Sequence, residues 1–362
     1  MSSATATAAD RAGSADEERS VEHGVDSITR AVTGAAMVQA LAAAAELGLA
    51  QALARGPTDV DELAAQVGCD GDALQRLLRA LASLGLCEQR EANVFALTPA
   101  GAILDPRHVP SLHHWLLWWG RYMWTEWAEL AQCVRTGESG RMITRRGRGF
   151  DQLEHDARAA ATFHAAMSEL TQLVAQSVAR HEVFVRSRTV VDVGGGCGEL
   201  LSTILRRHDH LHGVLFERPH AIEAARETLR TSGVSSRIEP SPGDFMHRVA
   251  SGGDVYLLKS ILHDWDDDRG ATILRRCADA MNEHGCILVI EQVMPPRIQS
   301  SPEHQDIARR DLTMMVGPGG RERTEQEFRR LFARSGLECR SMRPAAMGFS
   351  MLEAVPRTRR DA

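Results

Sequence analysis

Apolar positions recur with helical spacing through the first third of the chain. Over residues 27–54, Ile28, Val32, Met37, Leu41, Leu47, Leu49 and Leu53 mark one face of an alanine-rich helix that Gly56-Pro57 stops. Two shorter helices follow, over Val60 to Val67 and Asp72 to Leu84, the first opened by the capping residues Thr58 and Asp59. Residues 86–97 then alternate apolar and polar around Glu91-Ala92-Asn93, the pattern of a hairpin. Helices followed by a hairpin predict a winged-helix-like module over residues 26–108. Residues 109–184 read as a helical bridge. From Thr189 onward, apolar runs at 189–193, 213–216, 236–239, 254–258, 286–290, 337–342 and 349–355 alternate with helical segments. That alternation predicts an α/β domain over residues 185–356, built on a doubly wound parallel sheet with ligands at the C-terminal strand ends. Residues 1–25 read as a disordered tail and 357–362 as a C-terminal tail.

One run carries more than secondary structure. In Val190-Val191-Asp192-Val193-Gly194-Gly195-Gly196-Cys197-Gly198 an apolar strand collapses into a glycine turn that opens a helix. Without a Cβ, Gly194, Gly196 and Gly198 admit positive φ and let backbone N–H groups face a ligand. The spacing is G-x-G-x-G, and Glu199 stands where the dinucleotide fingerprint needs glycine, so a pyrophosphate cradle is disfavoured. Downstream, Val214-Leu215-Phe216 ends in Glu217, at the distance where a βαβ unit places a ribose-binding acid.

Composition narrows the field. The formal net charge of −6 argues against broad nucleic-acid or anionic-membrane binding. Helix 72–84, the DNA-reading element of a winged helix, offers only Arg76 and Arg79 as basic groups. The N-terminus lacks an apolar signal region, and Ala40–Ala50, the most apolar helix stretch, falls short of the roughly 20 residues that span a bilayer. Seven cysteines without a C-x-x-C pair predict neither zinc nor a disulfide framework. No metal is expected, and a reducing cytoplasm fits. The chain holds 41 arginines and one lysine, Lys259, which stands four residues before His263 at the end of an apolar strand. Five of the six tryptophans fall within thirteen residues of the bridge, at 115, 118, 119, 124 and 127. They serve either as interdomain packing or as a wall that stacks on a planar aromatic ligand.

Further segments complete an ordered series: Gly243-Asp244-Phe245, the strand ending Lys259-Ser260-Ile261-Leu262-His263-Asp264-Trp265, Ile287 to Glu291, and Gly319-Gly320-Arg321-Glu322-Arg323-Thr324. From about residue 30 to 355 the series resembles the S-adenosylmethionine-dependent O-methyltransferases of the caffeic-acid and bacterial natural-product type. The resemblance implies a Rossmann-like methyltransferase sheet preceded by an all-helical, winged-helix dimerisation domain, and a homodimer. It places Gly194, Gly196, Glu217, Arg218, Asp244, Phe245 and Lys259 at S-adenosylmethionine. Glu217-Arg218 departs from the Asp-Leu usual there. The acceptor implied is a hydroxyl of an aromatic secondary metabolite, such as a polyketide, naphthoate or phenazine. Its pocket is expected from Trp115, Trp119, Met123, Trp124, Phe163, Met167, Met314 and Met315.

By the same resemblance His263 is the general base, flanked by Glu291 and Glu322, while Asp264 is expected to cap the following helix. A phenol near pKa 10 facing an ordinary imidazole near 6.5 loses its proton uphill by roughly 5 kcal/mol. Proton removal is therefore expected to accompany methyl transfer, helped by carboxylates that stabilise the imidazolium. Two other readings remain: the same fold and cofactor with decarboxylase or hydroxylase chemistry, and a ligand-binding winged-helix regulator.

Overall fold

The computed structural model describes residues 8–145, 147 and 150–357, so residues 1–7 and 358–362 of the two expected tails lie outside it. The chain divides into two compact units, Met1–Asp105 and Pro106–Ala362.

The first unit runs α1 (Ala8–Glu46), α2 (Leu49–Leu53), β1 (Thr58–Asp59), α3 (Val60–Val67), α4 (Gly71–Ser83), β2 (Cys87–Glu91) and β3 (Val94–Leu97). Residues 8–25, expected as disordered tail, are helical. They contain no proline and are rich in alanine, glutamate and arginine, which propagate a helix once it is nucleated. The single helix expected over 27–54 instead breaks at Gly48, which takes the left-handed conformation at φ 66°. The apolar part of α1 is also longer than Ala40–Ala50. The described stretch Ser20–Glu46 contains an 18-residue window of mean hydropathy 1.3, long and apolar enough to cross a membrane by length and composition. Asp59 caps α3 by accepting from the Asp61 N–H at 2.9 Å, and Asp70 caps α4 through the Ala73 N–H at 2.9 Å. A three-stranded antiparallel sheet, ordered β1-β3-β2, closes the unit over a core that includes Leu49, Leu63, Leu78 and Phe95.

The second unit opens with helices α5 (His113–Trp118), α6 (Trp124–Trp127), α7 (Leu130–Thr136), α8 (Gly140–Ile143), α9 (Asp151–His155), α10 (Ala157–Val178) and α11 (Val183–Arg186). A π-helical turn, Trp119–Met123, joins α5 to α6. Alternation of strand and helix follows: β4 (Thr189–Val193), α12 (Glu199–Arg207), β5 (His212–Glu217), α13 (Pro219–Thr231), β6 (Ile238–Pro242), β7 (Gly253–Lys259), α14 (Asp267–Ala280) and β8 (Met281–Met294). The unit ends with α15 (Pro302–Val316), β9 (Arg323–Thr324), α16 (Glu325–Arg334), β10 (Leu337–Pro344) and β11 (Phe349–Pro356).

The main sheet is ordered β10-β11-β8-β7-β4-β5-β6, with β9 paired to β8. It is mixed where a wholly parallel sheet was expected, because β11 runs antiparallel to both of its neighbours. Only residues 345–348 join β10 to β11, too few for the dozen-residue crossover that a parallel pair needs. Successive strand residues point to opposite faces, so Val190 packs with α10, α12 and α13 while Val191 packs with α14 and α16. Strand order reverses between β4 and β7, and the C-terminal ends there form the crevice in which such folds bind ligands.

Candidate active site

At the end of β7 the chain turns sharply at Ser260, whose φ of 55° is unusual for a residue with a Cβ. A 3₁₀ turn over Leu262–Asp264 then presents His263. The turn is held from both sides. Glu291, fully buried in β8, accepts through Oε1 the N–H groups of Ile261, Leu262 and His263 at 3.0, 2.9 and 3.3 Å. The carbonyls are held by the segment before α16: the Arg321 N–H donates to the His263 oxygen at 2.7 Å. The buried Arg323 guanidinium donates to the carbonyls of Leu262 at 2.6 Å and Trp265 at 2.7 Å, and to Asp267 at 3.0 Å. Gly320 permits this approach, since a Cβ there would lie 1.9 Å from the His263 oxygen.

The imidazole is ringed by acids. Its Nδ1 lies 3.1 Å from Glu322 Oε1 and 3.5 Å from Glu291 Oε2, and its Nε2 lies 3.6 Å from Asp264 Oδ1. The expectation that Asp264 caps the next helix is corrected. Asp266 does so, accepting the Arg269 N–H at 2.8 Å, because the tight 3₁₀ turn swings Asp264 back against the ring. Burial alone would pull the imidazole down. The carboxylates of Glu291, Asp264 and Glu322 outweigh it and push the ring up to about 10. In turn burial raises Glu291 to about 7 and Asp264 to about 6, against the favourable pull of His263. The acids thus favour the imidazolium that proton removal creates, which narrows the gap to a phenol.

The second group of residues sits at the ends of β4, β5 and β6. Gly194, Gly196 and Gly198 take φ of 70°, 56° and 75°, and the Gly196 N–H donates to Glu217 Oε2 at 3.1 Å. The Arg218 N–H donates to Glu217 Oε1 at 2.6 Å. Burial raises the Glu217 carboxyl above its ordinary range. The Arg218 guanidinium pairs with Glu154 of α9 and, at 3.3 Å, with Asp244. Asp244 also accepts the Met246 N–H at 2.8 Å, and the Phe245 ring meets Trp265 edge-on at 6.0 Å. Lys259 donates to Thr171 Oγ1 at 3.2 Å, and burial pulls it down to about 8 against Glu291 and Asp192. Asp192 was not among the expected site residues. It is 1% exposed, its Oδ2 lacks a hydrogen-bond partner, and burial together with Glu217 pushes it up to about 7. An acid in the middle of an apolar strand run was the signal that could have found it.

Both groups line one cavity of about 550 Å³. Trp115, Trp119, Met123, Phe163, Met167 and Met314 line it as well, joined by Trp118, which stacks on Tyr122 at 4.7 Å. Glu291 stays behind His263, outside the lining. Trp124 and Met315 do not line it, contrary to expectation. The π-helical turn inserts an extra residue and carries Trp124 to the surface, 43% exposed. Met315, one position beyond Met314 on α15, is rotated into the core of the helical segment. Arg141, Arg309 and Arg310 also face the cavity and were missed, since an arginine on a helix reads as a solvated face.

A family model for the O-methyltransferase domain matches residues 127–338, and one for the O-methyltransferase dimerisation domain matches residues 29–105. The chain belongs to the O-methyltransferase family. This methyltransferase is 37% identical to a phenazine O-methyltransferase of Lysobacter antibioticus over 90% of its own length and 94% of the relative's. It is 39% identical to the O-demethylpuromycin-O-methyltransferase of Streptomyces alboniger, covering 82% and 79%. Among solved structures it is similar to the neocarzinostatin methyltransferase NcsB1, crystallised with S-adenosylmethionine and 2-hydroxy-5-methyl naphthoic acid. There the identity is 31% and the TM-score 0.74, over 89% of this chain and 96% of that one. The methyltransferase uses S-adenosylmethionine, and the N-terminal unit is its dimerisation domain. These relatives are all methyltransferases, which leaves the decarboxylase, hydroxylase and regulator readings unsupported.

Proposed function

We propose that this O-methyltransferase methylates a hydroxyl of a planar aromatic intermediate of secondary metabolism, with His263 as general base. The observation that carries the reading is the imidazole held among three carboxylates in the same aromatic-walled cavity that the Gly194–Glu217 crevice lines. Relatives named for phenazine, mitomycin and naphthoate substrates support the acceptor class.

S-adenosylmethionine supplies an electrophilic methyl on a sulfonium centre. The crevice fits such a cation, because Asp192 Oδ2 is buried without a donor and Glu217 is a partly buried acid beside the open face of Gly196. Glu217 would accept both ribose hydroxyls, Asp244 the adenine amine, and Phe245 would pack on the adenine. Asp192 and Lys259 would hold the amino-acid end. The tryptophans, with Phe163 and Met167, would fix the acceptor ring so that its oxygen lies in line with the methyl group. Glu322 and Glu291 would hold Nδ1 protonated, leaving Nε2 to take the acceptor proton. The donor atoms of His263, Glu291 and Glu322 lie within 4.8 Å of one another, close enough to hold a cation. We propose no metal there, because the three groups are already engaged with one another, His263 Nδ1 lying 3.1 Å from Glu322 Oε1 and 3.5 Å from Glu291 Oε2. Mass spectrometry of a phenolic panel incubated with enzyme and methyl-labelled donor tests the assignment. Labelled ethers are expected, and label in no member of the panel contradicts it.

The pH dependence has a definite sign. With the ring near 10, the productive form, deprotonated imidazole or its equivalent beside an ionised acceptor, gains with rising pH. Glu322→Gln removes a carboxylate that raises the ring, so the ascending limb of the kcat profile is expected to move to lower pH while its maximum falls. A limb at the same pH in both proteins contradicts this.

We further propose a cytoplasmic homodimer. Its winged-helix-like dimerisation module would span residues 26–108, ahead of a pocket-forming bridge over 109–184 and a catalytic domain over 185–356. Val21, Val25, Ile28 and Val32 form a stripe at 4-3-4 spacing on α1, each more than half exposed, which suits contact with a second copy better than solvent. No nucleic-acid or membrane partner is invoked. Val25→Glu with Ile28→Glu is expected to shift the protein toward monomer in light scattering at micromolar concentration. A full-length parent that is already monomeric overturns the reading.

A further inference from the structure

Helix α15 brings Arg309, Arg310, Thr313 and Met314 to the cavity wall. The two arginines share one acid. Arg309 Nη2 lies 2.6 Å from Asp306 Oδ1, and Arg310 Nε lies 2.8 Å from Asp306 Oδ2. One carboxylate balances one guanidinium, so the trio keeps a net positive charge. Among the described residues Arg310 donates only through Nε, which leaves both Nη groups for a ligand. Arg309 is prearranged, its guanidinium carbon 5.7 Å from the centre of the Trp119 ring on the same cavity. The charge of Arg310 is also felt at Lys259, which it helps to lower. Around His263, by contrast, Asp264, Glu291 and Glu322 crowd the ring and disfavour an anion beside it. On the cavity wall α15 thus presents two guanidinium groups, whereas the His263 ring is surrounded by acids.

We propose that Arg309 and Arg310 form an anion subsite that selects aromatic acceptors bearing a carboxylate and turns their hydroxyl toward His263. Guanidinium groups suit the role because their planar donors match a carboxylate in pairs. The inference rests on the aromatic-acceptor reading of the same cavity and adds the substituent that cavity selects.

The test uses matched pairs, 3-hydroxybenzoate, 3-hydroxy-2-naphthoate and 1-hydroxyphenazine-6-carboxylate, each against its methyl ester. Each is titrated calorimetrically into full-length enzyme loaded with S-adenosylhomocysteine, and kcat and KM are measured with S-adenosylmethionine. At least one acid is expected to bind about 10- to 100-fold more tightly than its ester, the scale of one or two charged hydrogen bonds. Arg309→Met with Arg310→Met is expected to bring that ratio down toward one, mainly through KM, with Arg310→Lys falling between. Thermal melting separates these effects from misfolding. No acid preference in any pair, or a preference that survives in the double variant, overturns the subsite. Methylation of the esters in that event leaves the aromatic-acceptor reading standing, whereas methylation of no phenol on the wider panel removes that reading itself.

Discussion

Replacing His263 with alanine is expected to lower kcat by about 10²- to 10⁴-fold while leaving the Kd of S-adenosylmethionine nearly unchanged. The separation follows from the proposed assignment: His263 meets the acceptor, and the cofactor contacts proposed above come from β4, β5, β6 and Lys259. Glu322→Gln and Glu291→Gln are each expected to cost less, because the base remains. Their double variant should fall short of additivity, since both acids act through one imidazole. Glu291→Gln carries a second burden, as the same carboxylate holds the three N–H groups that shape the turn. Rate measurement under saturating donor, with calorimetry on the same proteins, separates chemistry from binding. A His263→Ala variant that loses cofactor affinity in step with kcat contradicts the division.

Glu217→Ala is expected to weaken S-adenosylmethionine binding by about 10²-fold or more, at about 1.5–3 kcal/mol for each of two charged hydrogen bonds to the ribose. The carboxylate also accepts the N–H groups of Gly196 and Arg218, so its loss loosens the glycine turn as well. Titration calorimetry reads the effect directly. Binding like that of the parent would remove Glu217 from the cofactor site.

Features that were legible in the sequence share a local cause. The β4 strand and its glycine turn are written in consecutive residues, as are the hairpin of β2 and β3 and the cap Asp59. His263, Glu291 and Glu322 were named from motifs, and the fold brings them together from three separate segments. What stayed hidden depends on through-space geometry or on one extra residue. The antiparallel run of β11 follows from the shortness of its connection, and Trp124 leaves the cavity through a π-helical turn that heptad counting does not see. Arg323 reads as a surface arginine, yet it is buried and pins the His263 turn by two carbonyls. Asp264 adjoins His263 in sequence, and only the 3₁₀ turn shows that it faces the ring.

The central claim is that His263 takes the acceptor's proton. The most direct measurement is the fractional loss of kcat on His263→Ala across acceptors of one shape whose phenolic pKa spans several units. Acceptors of lower pKa are expected to lose less, because their oxyanion forms with less help. Equal losses across the series would contradict the account and show that His263 positions the acceptor without removing its proton.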